Sequence, residues 1–229
     1  MKFHLVKTKH LPVYKQLQME EALLRTHEDN WVILNEGSPP AVVMGLSTHP
    51  SSVIEEEAYK KNPVPIIRRY SGGGTVVVDD STLFVSFIFR HDFGFDPYPA
   101  NIMEWTAKLY EPHLPFTLQE NDYTLGNLKV GGNAQYIRKN RWSHHTTFLW
   151  DYDPSLMSLL KHPPKMPAYR EDRPHSDFIT TLKNHLSKEK FFTAVENALS
   201  SFGTLEFVPF EALPPFPHHR KSTTLLKMP

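Results

Sequence analysis

The chain has 229 residues, enough for one large domain with a sizeable core, and its 25 basic and 25 acidic residues cancel to a formal net charge of zero. The absence of cysteine excludes disulfides, thiolate zinc sites, iron–sulfur clusters and a cysteine nucleophile, and it suits a reducing cytosol. No apolar run approaches the ~18 residues of a membrane helix, the opening MKFHLVKTKH offers no signal-peptide core, and the neutral balance argues against bulk nucleic-acid binding.

Residues 3–7 alternate weakly and read as an edge strand. Pro12 opens a helix over 12–26, with Tyr14, Leu17, Met19, Leu23 and Leu24 at helical spacings. A strand follows at 31–34, a turn at 37–40, a buried strand at 41–46, a short polar helix over 53–61 and a strand at 65–69. Ser71-Gly72-Gly73-Gly74 is too glycine-rich for any regular element and separates that strand from another at 75–78. Residues 82–90 alternate and are β-rich, 99–111 read as a helix, and further strands fall near 116–120, 128–136 and 143–151, with a hairpin turn at Asn140-Arg141. After 153 the character changes: nine of the twenty prolines lie in 161–229, and helical patches remain at 155–161, 176–187 and 189–201. From 207 the prolines exclude regular helix and central strand, which leaves an extended segment packed on the rest or partly disordered. The division expected is a folded domain over 1–205 and a proline-rich tail over 206–229. Because the strands connect locally, the expected fold is α/β (α+β), with a central mixed, largely antiparallel sheet flanked by helices.

Three segments carry residue types suited to chemistry. In Arg68-Arg69-Tyr70-Ser71-Gly72-Gly73-Gly74-Thr75, glycines allow backbone N–H groups to approach a ligand, and two arginines supply planar cations for carboxylate or phosphate. The segment leads into a strand and lacks a Walker ending, so it is either a ligand loop or a loose hairpin with surface arginines. Lys129 lies in a β-pattern just before Gly131-Gly132 and either points into a cleft floored by backbone or sits on a solvent face. Asn121 and Asp122 are turn residues or contacts to ribose, base or magnesium. Adjacent His144 and His145 in a strand face opposite ways and cannot chelate one metal, so no protein-bound zinc is expected. No Gly-x-Ser-x-Gly elbow occurs.

Together these segments resemble the lipoate–protein ligase A family, the lipoate branch of the biotin/lipoate protein ligases. The family pattern is Arg-Arg-x-x-Gly-Gly-Gly, an Asn-Asp pair, Lys-Val/Ile-x-Gly and His-His-x-Thr. This chain has RRYSGGGTVVVDD at 68–80, END at 120–122, LKVGGNAQ at 128–135 and HHTTFLWD at 144–151. QLQMEEALLR at 16–25 and VVMGLSTHP at 42–50 also look like the family's opening, so the likeness covers roughly 12–155. Val78 stands where many members carry histidine, Ser81-Thr82 replace a usual Gly-Asn, and Thr146 replaces a glycine. The length matches a short form without the separate C-terminal accessory domain of larger ligases, sufficient alone or completed by a partner protein. With no cysteine, the acyl-cysteine route of the transferase relatives is excluded.

The resemblance implies a catalytic core like that of the biotin ligases and class II synthetases. It implies activation of lipoate by ATP and Mg2+ to lipoyl-AMP, then transfer to a lysine of a lipoyl domain, as in 2-oxo-acid dehydrogenase E2 subunits or the glycine cleavage H protein. Carried over position by position, Lys129 is the catalytic residue. Arg69, Gly74, Thr75, Val76, Val77, Asn121, Asp122 and Lys129 meet the nucleotide. Arg69, Ser71, Gly72, Gly73, Gly74, Lys129 and His145 meet lipoate, and Asp122 meets magnesium. The segment 161–175, with Lys165, Arg170 and Arg173, is expected to be mobile and to order over the adenylate. A lipoyltransferase using preformed lipoyl-AMP, an octanoyl ligase and a non-catalytic lipoyl-domain binder stay open. A cytoplasmic monomer without nucleic-acid or membrane partners is the expected state.

Overall fold

In the computed structural model, which describes residues 1–163, 165–213 and 221–228, the chain opens with β1 (Lys2–Lys9), α1 (Val13–Thr26), β2 (Asn30–Glu36) and β3 (Ala41–Met44). Short helices α2 (Pro50–Val53) and α3 (Glu56–Lys61) lead to β4 (Ile66–Arg68), β5 (Val76–Val78) and β6 (Thr82–Arg90). After α4 (Pro99–Tyr110), a meander is formed by β7 (Thr117–Gln119), β8 (Asp122–Leu125), β9 (Leu128–Ile137) and β10 (Arg141–Leu149). The rest comprises α5 (Pro154–Met157), α6 (His175–Phe178), α7 (Lys188–Ser200), β11 (Thr204–Phe207) and β12 (Thr224–Leu226).

Eight strands make the main sheet in the order β11-β1-β2-β6-β10-β9-β8-β7. β1 runs parallel to β2 and β11, and the other pairs are antiparallel, so the sheet is mixed and largely antiparallel. Both faces are covered, which is why alternation in β6 does not become exposure. Phe84 and Ile88 pack with Leu17, Leu23 and Leu24 of α1, while Leu83, Val85, Phe87 and Phe89 pack with α4 and α7. Pro99 starts α4 and the Ser187 hydroxyl caps α7 by accepting from the Lys190 N–H. Among the described residues no helix is long and apolar enough to cross a membrane.

A second sheet, β12-β4-β3-β5, stands beside the first and was not foreseen from the sequence. Its strands have three or four residues each, too few for periodicity to register. β1 is not an edge strand, because β11 covers it. The helix expected over 176–187 is only the turn α6. Beyond it Ile179 bridges Lys129, and the Thr180 N–H donates to the Lys129 carbonyl at 2.8 Å. Phe178 and Leu182 are buried there by pairing with the sheet, which outweighs helical spacing. β8 escaped notice although Gly126, at φ +57°, makes its turn into β9. The β9–β10 turn occupies 138–140, and Arg141 already belongs to β10.

Candidate active site

A cavity of about 720 Å³ opens between the two sheets. One wall is the glycine loop and β5, with Gly73, Gly74, Thr75, Val76 and Val77 on it. The floor is Lys129, Gly131 and Gly132 of β9 with Thr147 and Leu149 of β10, and the far wall is supplied by Met157 to Ile179. Gly73 holds φ +104°, and a β-carbon on Gly45 would stand 2.3 Å from the Gly73 carbonyl oxygen, so only glycine fits at 45. The Leu46 N–H donates to the Ser71 carbonyl at 3.0 Å. Arg69 is buried beneath the loop. Its Nε donates to Ser71 Oγ at 3.1 Å, and its Nη2 donates to the carbonyls of Gly72 at 2.7 Å and Gly74 at 2.9 Å. Burial lowers its pKa to about 10, so it stays cationic at neutral pH. Arg69 therefore shapes the loop and does not line the cavity, and Arg68 donates to the Thr48 carbonyl. Thr75 Oγ1 is buried at the cavity wall with no hydrogen-bond partner among the described residues.

Lys129 reaches the cavity through a local irregularity. A register shift at Tyr123/Thr124 lets Asp122 stand opposite Gly132 while Thr124 stands opposite Lys129. Lys129 lies back across Gly132, where a β-carbon would stand 3.2 Å from Cε and Nζ. Its Nζ meets Asp122 Oδ1 at 2.8 Å. Asp122 Oδ2 accepts from the Tyr169 hydroxyl at 2.9 Å. Burial first, then Asp122, raises the Tyr169 pKa, so that hydroxyl remains a donor. Asp122 thus bears on the cavity through Lys129. Asn121 sits in the β7–β8 turn away from the cavity lining, its carbonyl accepting from Asn133 Nδ2 at 3.0 Å. With both Asp122 oxygens engaged, and no group of three His, Cys, Asp or Glu converging among the described residues, the donor set does not make a resident magnesium site.

The wall from 161 to 179 separates the arginines named above. Arg173 donates to the carbonyls of Tyr169 at 2.7 Å and Asn127 at 3.0 Å, so it fastens the segment to the β8–β9 hairpin. Arg170 lies over the Phe178 ring at 4.7 Å and lines the cavity, and its buried Nη2 has no hydrogen-bond partner among the described residues. Lys165 also lines the cavity, as do His49 and Lys161, two residues the sequence reading did not single out. The stretch quoted at 42–50 contained His49, whereas nothing in the local pattern marked Lys161. His175 faces the same space, its pKa lowered to about 4 by burial and then by Arg170, His162 and Lys129, so it is neutral at pH 7. Lys129, Lys161, Lys165 and Arg170 all line it, Lys129 paired with Asp122 and Lys161 Nζ donating to the Ser51 carbonyl at 2.8 Å, with no carboxylate among the described lining residues.

The two adjacent histidines do face opposite ways, but both are buried because both faces of the sheet are covered. His144 stacks on Phe87 and is lowered to about 3 by burial, then by His145. His145 sits outside the cavity lining, its Nδ1 2.9 Å from Glu20 Oε1 and 3.0 Å from Ser86 Oγ. Burial pushes the Glu20 carboxyl up, and His145, with Ser86 and Gln16, outweighs this and holds it below its ordinary value. The Tyr70 hydroxyl closes the cluster by donating to Ser143 Oγ at 3.0 Å.

The family described as lipoyl protein ligase A/B catalytic domain matches residues 12–202. A Plasmodium falciparum protein named inactive lipoate–protein ligase 2 is 29% identical, over 75% of this chain and 61% of its own length. A putative lipoate–protein ligase A of Aeropyrum pernix is 28% identical over 64% of this chain and 57% of its own length. The chain thus spans about three-fifths of these two relatives. The structure of a bi-partite lipoate protein ligase with its E2 lipoyl domain from Thermoplasma acidophilum superposes with TM-score 0.75 at 18% identity, over 93% of this chain and 89% of that one. A lipoate–protein ligase A bound with ATP superposes with TM-score 0.72 at 18% identity, over 93% and 91%. These likenesses establish the same fold.

Proposed function

The chain belongs to the lipoyl protein ligase A/B catalytic-domain family, and from that premise we propose that it is an ATP-dependent lipoate–protein ligase acting on a lysine of a lipoyl domain. The observation carrying this reading is a cavity lined by Lys129, Lys161, Lys165 and Arg170 with no carboxylate among the described lining residues. In the first step a lipoate carboxylate oxygen attacks the α-phosphorus of ATP, and the bond to pyrophosphate breaks. Two anions must meet, so fixed positive charge in a poorly hydrated cleft lowers the barrier. Lys129 is assigned to the oxygens between the acyl carbonyl and the phosphate. Arg170 Nη2 and the Thr75 hydroxyl, neither with a hydrogen-bond partner among the described residues, are assigned to phosphate oxygens. Arg69 keeps the glycine loop in the shape that closes over the acyl group. In this reading magnesium arrives on the ATP phosphates, as substrate.

In the second step the neutral acceptor amine attacks the acyl carbon, the bond to the phosphate oxygen breaks with its electrons leaving on AMP, and the surplus amine proton passes to the leaving phosphate or to water as the amide forms. Val76, Val77, Leu149 and Phe178 offer apolar surface to adenine or to the largely hydrocarbon acyl chain. The lipoyl-domain partner is supported by the Thermoplasma acidophilum relative, described with its E2 lipoyl domain. The lack of cysteine supports a cytoplasmic setting. Because one relative is named an inactive lipoate–protein ligase, a second reading stays open in which the adenylation step is missing and transfer proceeds only from preformed lipoyl-AMP. Lipoate-dependent ATP–pyrophosphate exchange separates the two. Exchange is the expected result. Acyl transfer only from added lipoyl-AMP makes the chain a transferase, and neither activity makes it a binder.

A further inference from the structure

Asp122 is a buried carboxylate with two different donors, one on each oxygen. Lys129 Nζ lies on Oδ1 at 2.8 Å and the Tyr169 hydroxyl on Oδ2 at 2.9 Å. The two donors come from different parts of the chain. Lys129 belongs to β9, and Tyr169 to the segment that carries Arg170 over the cavity. Tyr169 is itself held. Its N–H donates to Glu120 Oε1 at 3.2 Å, its carbonyl accepts from Arg173, and its ring packs against Phe178 at 5.2 Å. The same segment returns to Lys129 at its other end, where the Thr180 N–H donates to the Lys129 carbonyl.

We propose that Tyr169 is a positioning residue that sets the Lys129 ammonium through Asp122, so that closure of the 165–178 segment and placement of the reactive cation are one event. This rests on the function proposed above and adds to it the residue that governs Lys129. The physical argument concerns rotation of the carboxylate. Gly132 offers no side chain to confine Lys129, so its lateral position follows Asp122. With the Tyr169 hydroxyl on Oδ2, the carboxylate cannot swing, and only Oδ1 addresses Lys129. Without it, a buried oxygen loses its donor, and leaving it unpaired is costly. The carboxylate then turns both oxygens onto the ammonium, as a carboxylate readily accepts bidentately. Lys129 is drawn onto Asp122 and away from the cavity, where its nitrogen is less accessible. Tyr169 therefore shares the Asp122 charge and leaves Lys129 available to the acyl phosphate.

The test compares wild type, Tyr169→Phe, Asp122→Asn and the double variant, each checked for folding by circular dichroism. Single-turnover transfer from synthetic lipoyl-AMP to a lipoyl domain should fall about tenfold in Tyr169→Phe, with adenylate affinity changed less than about threefold. In the Asp122→Asn background Tyr169→Phe should cost nothing further, because its effect passes through Asp122. A second readout needs no activity. Acetylation of the Lys129 amine by acetic anhydride at pH 8, followed by mass spectrometry, should slow several-fold in Tyr169→Phe and be insensitive to that change once Asp122 is Asn. Faster labelling in Tyr169→Phe would mean that the hydroxyl only keeps the segment closed, and would overturn the proposal, as would equal losses in both backgrounds. If wild type transfers nothing while the labelling pattern holds, the functional reading fails and the positioning role stands.

Discussion

Lys129 and its glycine neighbours separate chemistry from packing at single residues. In the proposed reaction, replacing Lys129 by alanine is expected to lower lipoate-dependent ATP–pyrophosphate exchange on the order of 10²–10³-fold, the usual cost of one preorganised electrostatic group. Little packing is lost, but Asp122 Oδ1 loses its donor, so the melting temperature should fall moderately while the fold persists. A folded variant keeping a third of the exchange rate would remove Lys129 from its role. Gly131 and Gly132 are adjacent in sequence and unlike in surroundings. A β-carbon at 131 would stand 2.8 Å from Phe148 Cδ1 in the core, whereas one at 132 would meet only the mobile end of Lys129 at 3.2 Å. Gly131→Ala should destabilise by about 1–3 kcal/mol, as overpacking does. Gly132→Ala should leave the melt unchanged and reduce exchange by displacing the ammonium from Asp122. Equal melts for the two variants would contradict this reading of the floor. The Gly-Gly motif was legible in the chain, but the division of labour between its members was not, because Phe148 arrives from β10.

At the scale of elements, the described C-terminal residues 221–228 are held to α1 chiefly through Glu21, with Arg25 Nη2 also donating to Ser222 Oγ at 3.3 Å. Glu21 is fully buried in the helix and accepts from the N–H groups of Ser222 at 3.0 Å and Thr223 at 3.1 Å, and from Arg25 Nε at 3.0 Å. Burial raises its pKa, and the Ser222 and Thr223 backbone bonds outweigh that, so it remains a carboxylate. β12 then pairs with β4, whose next residue is Arg69. Glu21→Ala is expected to cost about 1–3 kcal/mol through unpaired buried donors, measured by urea unfolding. It should also speed amide exchange at Ser222 and Thr223 well beyond the rest of the molecule. Unchanged exchange there would show that β12 holds without the clamp. Long periodic elements such as α1, β6, β10 and α7 were legible, since each carries enough residues to display its own period. β3, β4, β5 and β12 were not legible as a sheet, because a three-residue strand is defined by its partners.

For the whole molecule, covering both faces of the main sheet buries His144 completely, and a histidine buried in its neutral form makes the fold sensitive to acid. Gln135 Nε2 lies 3.1 Å from Nδ1 and Thr146 Oγ1 3.2 Å from Nε2, an arrangement that suits the neutral ring. With a folded pKa of about 3 against 6.5 for an ordinary histidine, the unfolded chain binds the proton first as pH falls. The stability contributed by the neutral ring is complete above pH 6.5 and is lost between 6.5 and about 3, at about 1.4 kcal/mol per pH unit. His175, lowered to about 4, acts in the same direction over the upper part of that window. Unfolding free energy should therefore decline from pH 6.5 to 5, and His144→Gln should make that decline shallower. A parallel decline in the variant would assign acid sensitivity elsewhere.

Composition and the order of the motifs determined the family, the mixed sheet and the identity of the basic and glycine-rich residues, because those are properties of residue type and local spacing. The tertiary structure decided which charges are available. Arg69 and Arg173 are occupied by backbone carbonyls, Arg170 Nη2 has no partner among the described residues, and Asp122 is shared by Lys129 and Tyr169. A donor's availability depends on the carbonyls and carboxylates that distant segments bring to it, and no local pattern in the chain records that.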